Sequence, residues 1–240
     1  MAVYDDISDA YDLVYTDVDQ KLPFVSELLQ KHDRQQILEL GSGSGLFTIP
    51  LKQKGFNIEG LEISPEMMAV TQKKFPDLVL HQGDMRNFSL EKQFDAILAL
   101  SSALTLLSSH DEIARCLQQT FQHLVPGGHF LVELPNHPIE IANSDGTQEV
   151  HCNDDRSIIV VIQSEKTEGR WRESWHIFRA SAEGFQHKEV LCDEFLYSPD
   201  RLEAQLLETG FKIVDRYGDL LGSVFDEGTS WRRVLVCQKP

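Results

Sequence analysis

The sequence predicts an α/β fold in which helices cover both faces of a doubly wound, mostly parallel sheet, with a small β-rich cover inserted. Strand-like and helix-like segments alternate from residue 22 to residue 135, and this alternation is typical of βαβ units. Between residues 144 and 195 the pattern changes to runs that resemble antiparallel strands. We therefore expect one domain formed by residues 1–143 and 196–240, with residues 144–195 as an inserted cover or substrate region.

The alternating part is predicted to contain five strands separated by helices. Short apolar runs indicate the strands, at residues 36–40, 57–61, 78–81, 94–100 and 129–134. Helical periodicity indicates the helices, at residues 46–54, 65–75 and 111–124. Local signals agree with these boundaries, because Ser64-Pro65 is a favoured helix start and Pro126-Gly127-Gly128 ends a helix before a strand.

The cover and the C-terminal part are predicted from turns and periodicity. Residues 157–164 and 170–178 are predicted as antiparallel strands joined by a Glu168-Gly169 turn. After the cover, Ser198-Pro199 begins an amphipathic helix that ends at Gly210, and strands follow at residues 211–217 and 231–237. These two strands are expected to complete the sheet.

Composition excludes several classes of protein. With 240 residues, 41% hydrophobic and 25% charged, the chain suits one sizeable α/β domain with an embellishment. No apolar run approaches the roughly 20 residues that span a bilayer, so no membrane association is predicted. The acidic N-terminus lacks the basic start and apolar stretch of a secretory signal, which predicts a cytoplasmic protein.

Charge and cysteine usage argue against nucleic acid and metal. The formal net charge of −16 repels a polyanionic partner, so no nucleic acid is expected. The four cysteines are far apart and form no CxxC pair, which favours reduced thiols over a zinc site. His151-Cys152 beside Asp154-Asp155 is interpreted as a polar loop rather than a metal site. An acidic surface with an exposed β insert is compatible with a monomer or a homodimer.

A glycine-rich segment follows the first predicted strand. The strand leads through Glu39 into Gly41-Ser42-Gly43-Ser44-Gly45, which allows the backbone to turn sharply and approach a ligand closely. Glu62 ends the next strand, 21 residues after Gly41, where a carboxylate can accept hydrogen bonds from ribose hydroxyls. The pattern predicts a nucleotide-like cofactor.

A nicotinamide dinucleotide is the first alternative for this cofactor. Its fingerprint, GxGxxG/A, requires a third small residue at position 46, which is Leu46 in this chain. A nicotinamide-dependent oxidoreductase is therefore disfavoured. A non-catalytic module that binds the cofactor without turnover is the second alternative.

The glycine spacing, with an acid two residues before the first glycine, resembles ExGxGxG, which is motif I of the class I S-adenosylmethionine-dependent methyltransferases. Gly83-Asp84-Met85 resembles that family's third strand end, Phe94-Asp95-Ala96-Ile97 its fourth strand, and the segment from Leu124 to Gly128 its turn before the fifth strand. The resemblance runs from about Tyr11 to the C-terminus and is most specific up to residue 135. It implies a Rossmann-like seven-stranded sheet, with an antiparallel C-terminal strand pair, and S-adenosylmethionine as cofactor.

Residue roles follow from this resemblance. In the family, the acid after the third strand accepts a hydrogen bond from the adenine amino group, and the next residue flanks the adenine ring. The corresponding residues in this chain are Asp84 and Met85. The residues expected to bind the cofactor are Tyr11, Tyr15, Glu39, Gly41, Ser42, Gly43, Gly45, Glu62, Ile63, Asp84, Met85 and Leu100.

The N-terminal segment resembles that of small-molecule N- and O-methyltransferases, including those that dimethylate amino sugars or methylate glycine-type amines. In those relatives the segment folds over the cofactor, so Tyr11 and Tyr15 are candidates to close its methionine end. The alternative is that both tyrosines only pack a first helix.

Methyl transfer requires few catalytic side chains, since positioning and exclusion of water supply most of the acceleration. His137, after the fifth strand, is the candidate general base, unless it is a loop histidine that bonds to nearby backbone. Ser101, Ser102 and Trp175 are candidates to bind the substrate, although the serines also suit close packing at a strand end and Trp175 also suits attachment of the cover. The predicted function is methyl transfer to a nitrogen or oxygen of a small-molecule acceptor.

Overall fold

The computed structural model describes residues 3–33 and 35–240, and the chain forms two separate sheets. The strands are β1 (Gln36–Leu40), β2 (Asn57–Glu62), β3 (Leu80–Gln82), β4 (Phe94–Ala99), β5 (Leu124–Pro135), β6 (Thr147–Cys152), β7 (Ile158–Thr167), β8 (Arg170–Ser181), β9 (Gly184–Phe195), β10 (Lys212–Tyr217) and β11 (Arg232–Gln238). The helices are α1 (Tyr11–Val14), α2 (Val18–Lys31), α3 (Thr48–Gln53), α4 (Pro65–Lys74), α5 (His110–His123), α6 (His137–Ser144) and α7 (Pro199–Thr209), with 3₁₀ helices at Val3–Asp6 and Ala103–Leu106.

The larger sheet has seven strands in the order β10-β11-β5-β4-β1-β2-β3 among the residues described. Strands β1 to β5 pair in parallel, whereas β11 pairs antiparallel with both β5 and β10. The predicted α/β sheet with an antiparallel C-terminal pair is confirmed.

Both faces of the larger sheet are covered by helices. Successive residues of β1 point to opposite faces, so Leu38 packs in one apolar layer and Ile37 in the other. Helices α5 and α7 supply the first layer, for example through Leu117 and Leu206, and α2 and α3 supply the second. Burial on both faces explains why these strands are continuous apolar runs in the sequence.

Helix boundaries follow the capping signals. The Ser64 hydroxyl accepts a hydrogen bond from the Met67 N–H at 3.0 Å ahead of Pro65, and the Ser198 hydroxyl caps α7 in the same way. Gly210 ends α7 with φ of +108°, a conformation that favours glycine. These predicted boundaries are confirmed, and α3 is shorter than predicted because residues 46 and 47 lie in the preceding turn.

The smaller sheet, which we call the cover sheet, is antiparallel with the strand order β6-β7-β8-β9. Its inner face packs on the N-terminal residues and on α4, with Ile162, Trp175 and Cys192 lying against Ile7 and Met67. The turn at Gly169 joins β7 to β8 as predicted, with φ of +72°. The assignment of residues 1–143 and 196–240 to one domain, with residues 144–195 as an insert, remains a prediction.

Three parts of the chain differ from the sequence interpretation. His151 and Cys152 lie in strand β6 rather than in a polar loop. Strand β9 was not predicted. It forms one edge of the cover sheet and β6 forms the other, and most residues of both strands are exposed. Their sequences therefore lack the alternation of apolar and polar residues that marks a half-buried strand. Residues 137–144 form α6, for which no element was predicted, and Pro138 occupies its first turn, a position that proline tolerates.

No helix in residues 3–33 or 35–240 is long and apolar enough to cross a membrane. Over the same residues, no group of three or more His, Cys, Asp or Glu side chains is arranged to hold a metal ion.

Candidate functional site

A cavity of about 550 Å³ lies at the carboxyl ends of the parallel strands, between the larger sheet and the cover sheet. This is the edge where open α/β sheets bind ligands, and the volume suits a nucleoside-sized molecule. The sequence-predicted residues that line it are Tyr11, Gly41, Gly43, Glu62, Ile63, Asp84, Met85, Leu100 and Ser101. Those that do not line it are Tyr15, Glu39, Ser42, Gly45, Ser102, His137 and Trp175.

The glycine loop presents its backbone to the cavity. Gly41 and Gly43 have φ of +65° and +53°, and the Gly41 N–H donates to the Leu61 carbonyl at 2.8 Å, which fixes the loop over the end of β2. A Cβ on Gly41 would lie 3.2 Å from the Cβ of Ala103. Glycine is therefore required both by the backbone conformation and by the narrow space.

Glu62 is oriented by three backbone N–H groups. Its Oε1 accepts from Ile63 at 2.9 Å and from Ser64 at 2.8 Å, and its Oε2 accepts from Gly43 at 2.8 Å. Burial raises the pKa of this carboxyl against the opposing effect of those bonds. Each carboxylate oxygen has two lone pairs, so Oε2 retains one acceptor position for a hydroxyl in the cavity.

Glu39 lies behind the glycine loop rather than in the cavity wall. Its side chain is buried and accepts a hydrogen bond from the Thr48 hydroxyl of α3. Burial raises the pKa of the carboxyl to about 8. Gly45 also lies behind the loop, where a Cβ would come within 2.8 Å of the Ile49 side chain. Both residues shape the loop without reaching its ligand side.

Asp84 lies at the far end of the cavity in an ion pair that the sequence interpretation missed. Arg86 binds its carboxylate through Nε, at 2.9 Å from both oxygens, and reaches Glu112 of α5 through Nη1 at 2.6 Å. The Arg86 guanidinium holds the pKa of the Asp84 carboxyl below its usual range. An arginine two residues after the predicted adenine-binding acid was the available signal. Leu106 and Leu107 add an apolar wall there.

Aromatic residues of the N-terminal segment contact the cover sheet. The Tyr11 ring lies parallel to the Trp175 ring, with centroids 6.4 Å apart and planes 6° apart, and it contacts the Tyr15 ring at 4.6 Å. Trp175 is only 1% exposed. Tyr11 therefore both lines the cavity and packs, whereas Tyr15 and Trp175 occupy the packing positions that were the alternative interpretation.

Ser101 and Ser102 form a left-handed turn after β4. Their φ values are +49° and +61°, which is unusual for non-glycine residues and is often found at functional sites. The Ser101 N–H donates to the buried Glu133 carboxylate at 2.8 Å, and Arg232 Nη1 donates to the Ser102 hydroxyl at 3.1 Å. The turn places Ser101 in the cavity wall and Ser102 behind it.

His137 is the first residue of α6, and both of its ring nitrogens have partners. Nδ1 is 3.2 Å from the Glu140 carboxylate and Nε2 is 3.3 Å from the Phe195 carbonyl. The side chain is 6% exposed and outside the cavity wall. Its position joins α6 to the cover sheet, and a role as general base remains an untested prediction.

The N-terminal segment, residues 4–15, is fastened to both sides of the cavity. Asp12 pairs with Lys74 of α4 and accepts from the Ser44 hydroxyl of the glycine loop. On the cover sheet, Arg179 Nε donates to Asp9 at 2.8 Å. The segment therefore connects the two sheets across the cavity.

The chain was compared with known proteins. A family model described as "Methyltransferase domain" matches residues 37–128. A dTDP-3-amino-3,6-dideoxy-α-D-glucopyranose N,N-dimethyltransferase of Streptomyces fradiae is 31% identical over 134 residues, which are 53% of this chain and about half (52%) of the relative. A dTDP-3-amino-3,4,6-trideoxy-α-D-glucopyranose N,N-dimethyltransferase of Streptomyces venezuelae is 26% identical over 87% of this chain and 91% of its own length.

Solved structures resemble the whole chain. An S-adenosylmethionine-dependent methyltransferase from Clostridium acetobutylicum superposes with a TM-score of 0.84 at 16% identity and 99% coverage of both chains, which shows the shared fold. The CcbJ methyltransferase from Streptomyces caelestis gives a TM-score of 0.81 at 25% identity, over 99% of this chain and 98% of its own.

These findings agree with the geometry of the cavity. The matched residues 37–128 include the glycine loop, Glu62 and Asp84, and a nicotinamide-dependent oxidoreductase receives no support. The acceptor position on Glu62, the open glycine backbone and the apolar wall near Asp84 fit an adenosyl group. Residues 37–128 therefore match a methyltransferase domain, and the findings together support a class I S-adenosylmethionine-dependent methyltransferase with S-adenosylmethionine as its cofactor.

Proposed function

We propose that the chain transfers the methyl group of S-adenosylmethionine to the nitrogen of a small-molecule amine, and that the amine is carried by an amino sugar. The observation that supports this most directly is the extent of the cavity. It runs from the glycine loop and Ser101 to Cys192 and Asp193 of the cover sheet. An acceptor enclosed between the two sheets has to be small, and the relatives named above act on amino sugars at nitrogen.

The cofactor supplies an activated methyl group on a positively charged sulfonium. In this proposal the glycine loop and Glu62 bind its adenosyl and ribose parts, Asp84 and Met85 lie at the adenine end, and Tyr11 lies over the opposite end. These groups orient the cofactor, and the cover sheet with the N-terminal segment excludes water. Orientation and exclusion of water are the main contributions that a protein makes to such a displacement.

The cover, residues 144–195, is proposed as the region that encloses the acceptor. Its inner face carries Cys192 into the cavity wall, whereas its outer face is largely exposed. The N-terminal segment closes the same space from the side of α4. A small acceptor bound there would lie between elements that are distant in sequence.

The test compares amino sugars with a sugar nucleotide whose sugar carries only hydroxyl groups. The purified chain is incubated with S-adenosylmethionine and dTDP-3-amino-3,6-dideoxy-D-glucose, free 3-amino-3-deoxy-D-glucose or dTDP-D-glucose. Release of S-adenosylhomocysteine and the mass of the product are measured. We expect methylated product from an amino sugar and none from dTDP-glucose. Methylation of dTDP-glucose, or no turnover of either amino sugar by protein that binds S-adenosylmethionine in calorimetry, would overturn the proposal.

A further inference from the structure

Glu194 is an acidic residue on the inner face of the cover sheet. It lies opposite Trp171 of β8 in the antiparallel register, and Cys192, two residues earlier on the same face of β9, lines the cavity. Its carboxylate contacts Thr105 of the 3₁₀ helix Ala103–Leu106, which follows the Ser101-Ser102 turn. Glu194 therefore lies just behind the cavity wall, next to the lining residue Cys192 and against the 3₁₀ helix whose Ala103 and Leu106 line the cavity.

The hydrogen bonds of Thr105 constrain the protonation of Glu194. The Thr105 hydroxyl oxygen is 2.7 Å from Glu194 Oε2 and 2.7 Å from the Ser102 carbonyl oxygen. A hydroxyl has one proton, and a carbonyl can only accept, so both contacts are hydrogen bonds only when Glu194 is protonated and donates to Thr105. When Glu194 is ionised, the hydroxyl can rotate and donate to it instead. Thr105 can therefore form a hydrogen bond with Glu194 in either protonation state.

The surroundings of Glu194 bring its pKa close to neutral pH, so that both the acid and the carboxylate are populated there. Burial, with the carboxylates of Glu140 on α6 and Glu173 on β8, raises the pKa of Glu194 to about 8, opposed by Arg232 of β11 and by Thr105. The phenols of Tyr4, Tyr11 and Tyr15 face the same group from the N-terminal segment. Among the described residues, Oε1 of Glu194 has no hydrogen-bond partner, which leaves one oxygen available to a ligand.

We propose that Glu194 binds the ammonium group of the acceptor and removes its proton before methyl transfer. This inference rests on the proposed N-methyltransferase function. In the first step R–NH₃⁺ gives its proton to the Glu194 carboxylate, which leaves R–NH₂ and a carboxylic acid. The nitrogen lone pair then forms a bond to the methyl carbon as the carbon–sulfur bond breaks, which yields R–NH₂–CH₃⁺ and a neutral thioether.

The same proton acceptor can serve a second methylation. After the first transfer Glu194 releases its proton to solvent, and the neutral thioether is exchanged for a second S-adenosylmethionine. The monomethylated product is again an ammonium, and it must lose a proton to the regenerated carboxylate before its nitrogen can attack another methyl group. A base whose pKa lies near the working pH is well matched to repeated transfers of this kind. Thr105 would stabilise Glu194 in both forms during each cycle.

The experiment uses Glu194→Gln, which keeps the size of the side chain and removes the base. Glu189→Gln is the matched control, since Glu189 is exposed on the outer face of the same strand. Rates are measured from pH 6 to pH 10 with whichever of the two amino-sugar probes the wild type methylates faster. At pH 7 we expect Glu194→Gln to be slower by about 100-fold or more, with recovery as the free amine accumulates above pH 9. The affinity for S-adenosylmethionine should not change.

The possible outcomes separate the two proposals. A wild type that binds S-adenosylmethionine but methylates neither amine overturns the proposed function. If the wild type methylates an amine, two results for Glu194→Gln would overturn the role of Glu194 alone. One is a rate at pH 7 equal to that of the wild type, and the other is a loss of rate that is the same at every pH. If Glu194→Gln does not fold, Thr105→Val and Thr105→Ser take its place. The valine variant should lose rate and the serine variant should retain it, and equal rates for both would contradict the inference.

Discussion

The cofactor half of the cavity and the cover sheet build their parts of the site in different ways. At the carboxyl edge of the larger sheet, ligand groups are backbone N–H groups and strand-end carboxylates, and Glu62 is held by residues within the glycine loop and its own turn. On the cover sheet, Glu194 depends on strand register and on Thr105, 89 residues away in the sequence. Local geometry therefore positions the groups proposed to bind the cofactor, and long-range packing positions Glu194, the group proposed to bind the acceptor.

Trp175→Ala should have the largest effect on stability, because it removes the largest fully buried side chain from beneath the cover sheet. We expect a loss of about 3 to 5 kcal/mol in the free energy of unfolding, measured in urea. Trp231→Ala is the control, since Trp231 is 51% exposed, and it should change stability by less than about 0.5 kcal/mol. Equal losses would mean that the cover sheet does not depend on this core.

Gly43→Val in the glycine loop and Gly169→Val in the cover sheet place the same side chain on backbones that both have positive φ. Gly43 and Gly169 have φ of +53° and +72°, so valine costs each about 1 to 2 kcal/mol of stability. A Cβ at Gly43 meets only the Gly41 carbonyl, at 3.9 Å, so the added side chain extends into the cavity instead of into the core. We expect Gly43→Val to weaken S-adenosylmethionine binding by more than about 100-fold in calorimetry, or about 2.7 kcal/mol, and Gly169→Val to leave it unchanged. If both variants lost the same affinity for S-adenosylmethionine, the glycine loop would not be the cofactor-binding segment.

Glu62→Ala should weaken S-adenosylmethionine binding by about 1.5 to 3 kcal/mol, because it removes a charge-assisted acceptor from the ribose site. Glu149→Ala, on the exposed edge strand of the cover sheet, is the control and should bind normally. Calorimetry measures both. Unchanged affinity in Glu62→Ala would show that the ribose is held elsewhere.

His137→Ala should have the smallest effect on the rate, with kcat within about three-fold of the wild type and the same pH profile. The reason is that neither ring nitrogen presents a lone pair to the cavity. The measurement is S-adenosylhomocysteine release across the pH range used for Glu194→Gln. A pH profile that changes in His137→Ala and not in Glu194→Gln would restore His137 as the base.

The contrast between local geometry and long-range packing also explains which parts of the site could be predicted from the sequence. The glycine spacing and the position of Glu62 sit in local strand-turn-helix patterns, and the structure places both beside the cavity. Arg86 was not predicted as the partner of Asp84, because a motif assigns a ligand to an acidic residue without showing which neighbouring side chain already forms an ion pair with it. Glu194 has no local signature, since β9 is mostly exposed and its register with β8 cannot be obtained from periodicity.

The ion pairs of the N-terminal segment have a practical consequence for handling the protein. Asp9 with Arg179 and Asp12 with Lys74 are partly exposed at the solvent boundary, where the distance over which charges attract falls from about 10 Å at 0.1 M salt to about 3 Å at 1 M. Concentrated salt should therefore weaken the attachment of the N-terminal segment to α4 and to the cover sheet, and with it the retention of S-adenosylmethionine. The salt concentration therefore has to be held constant when affinities for S-adenosylmethionine are compared.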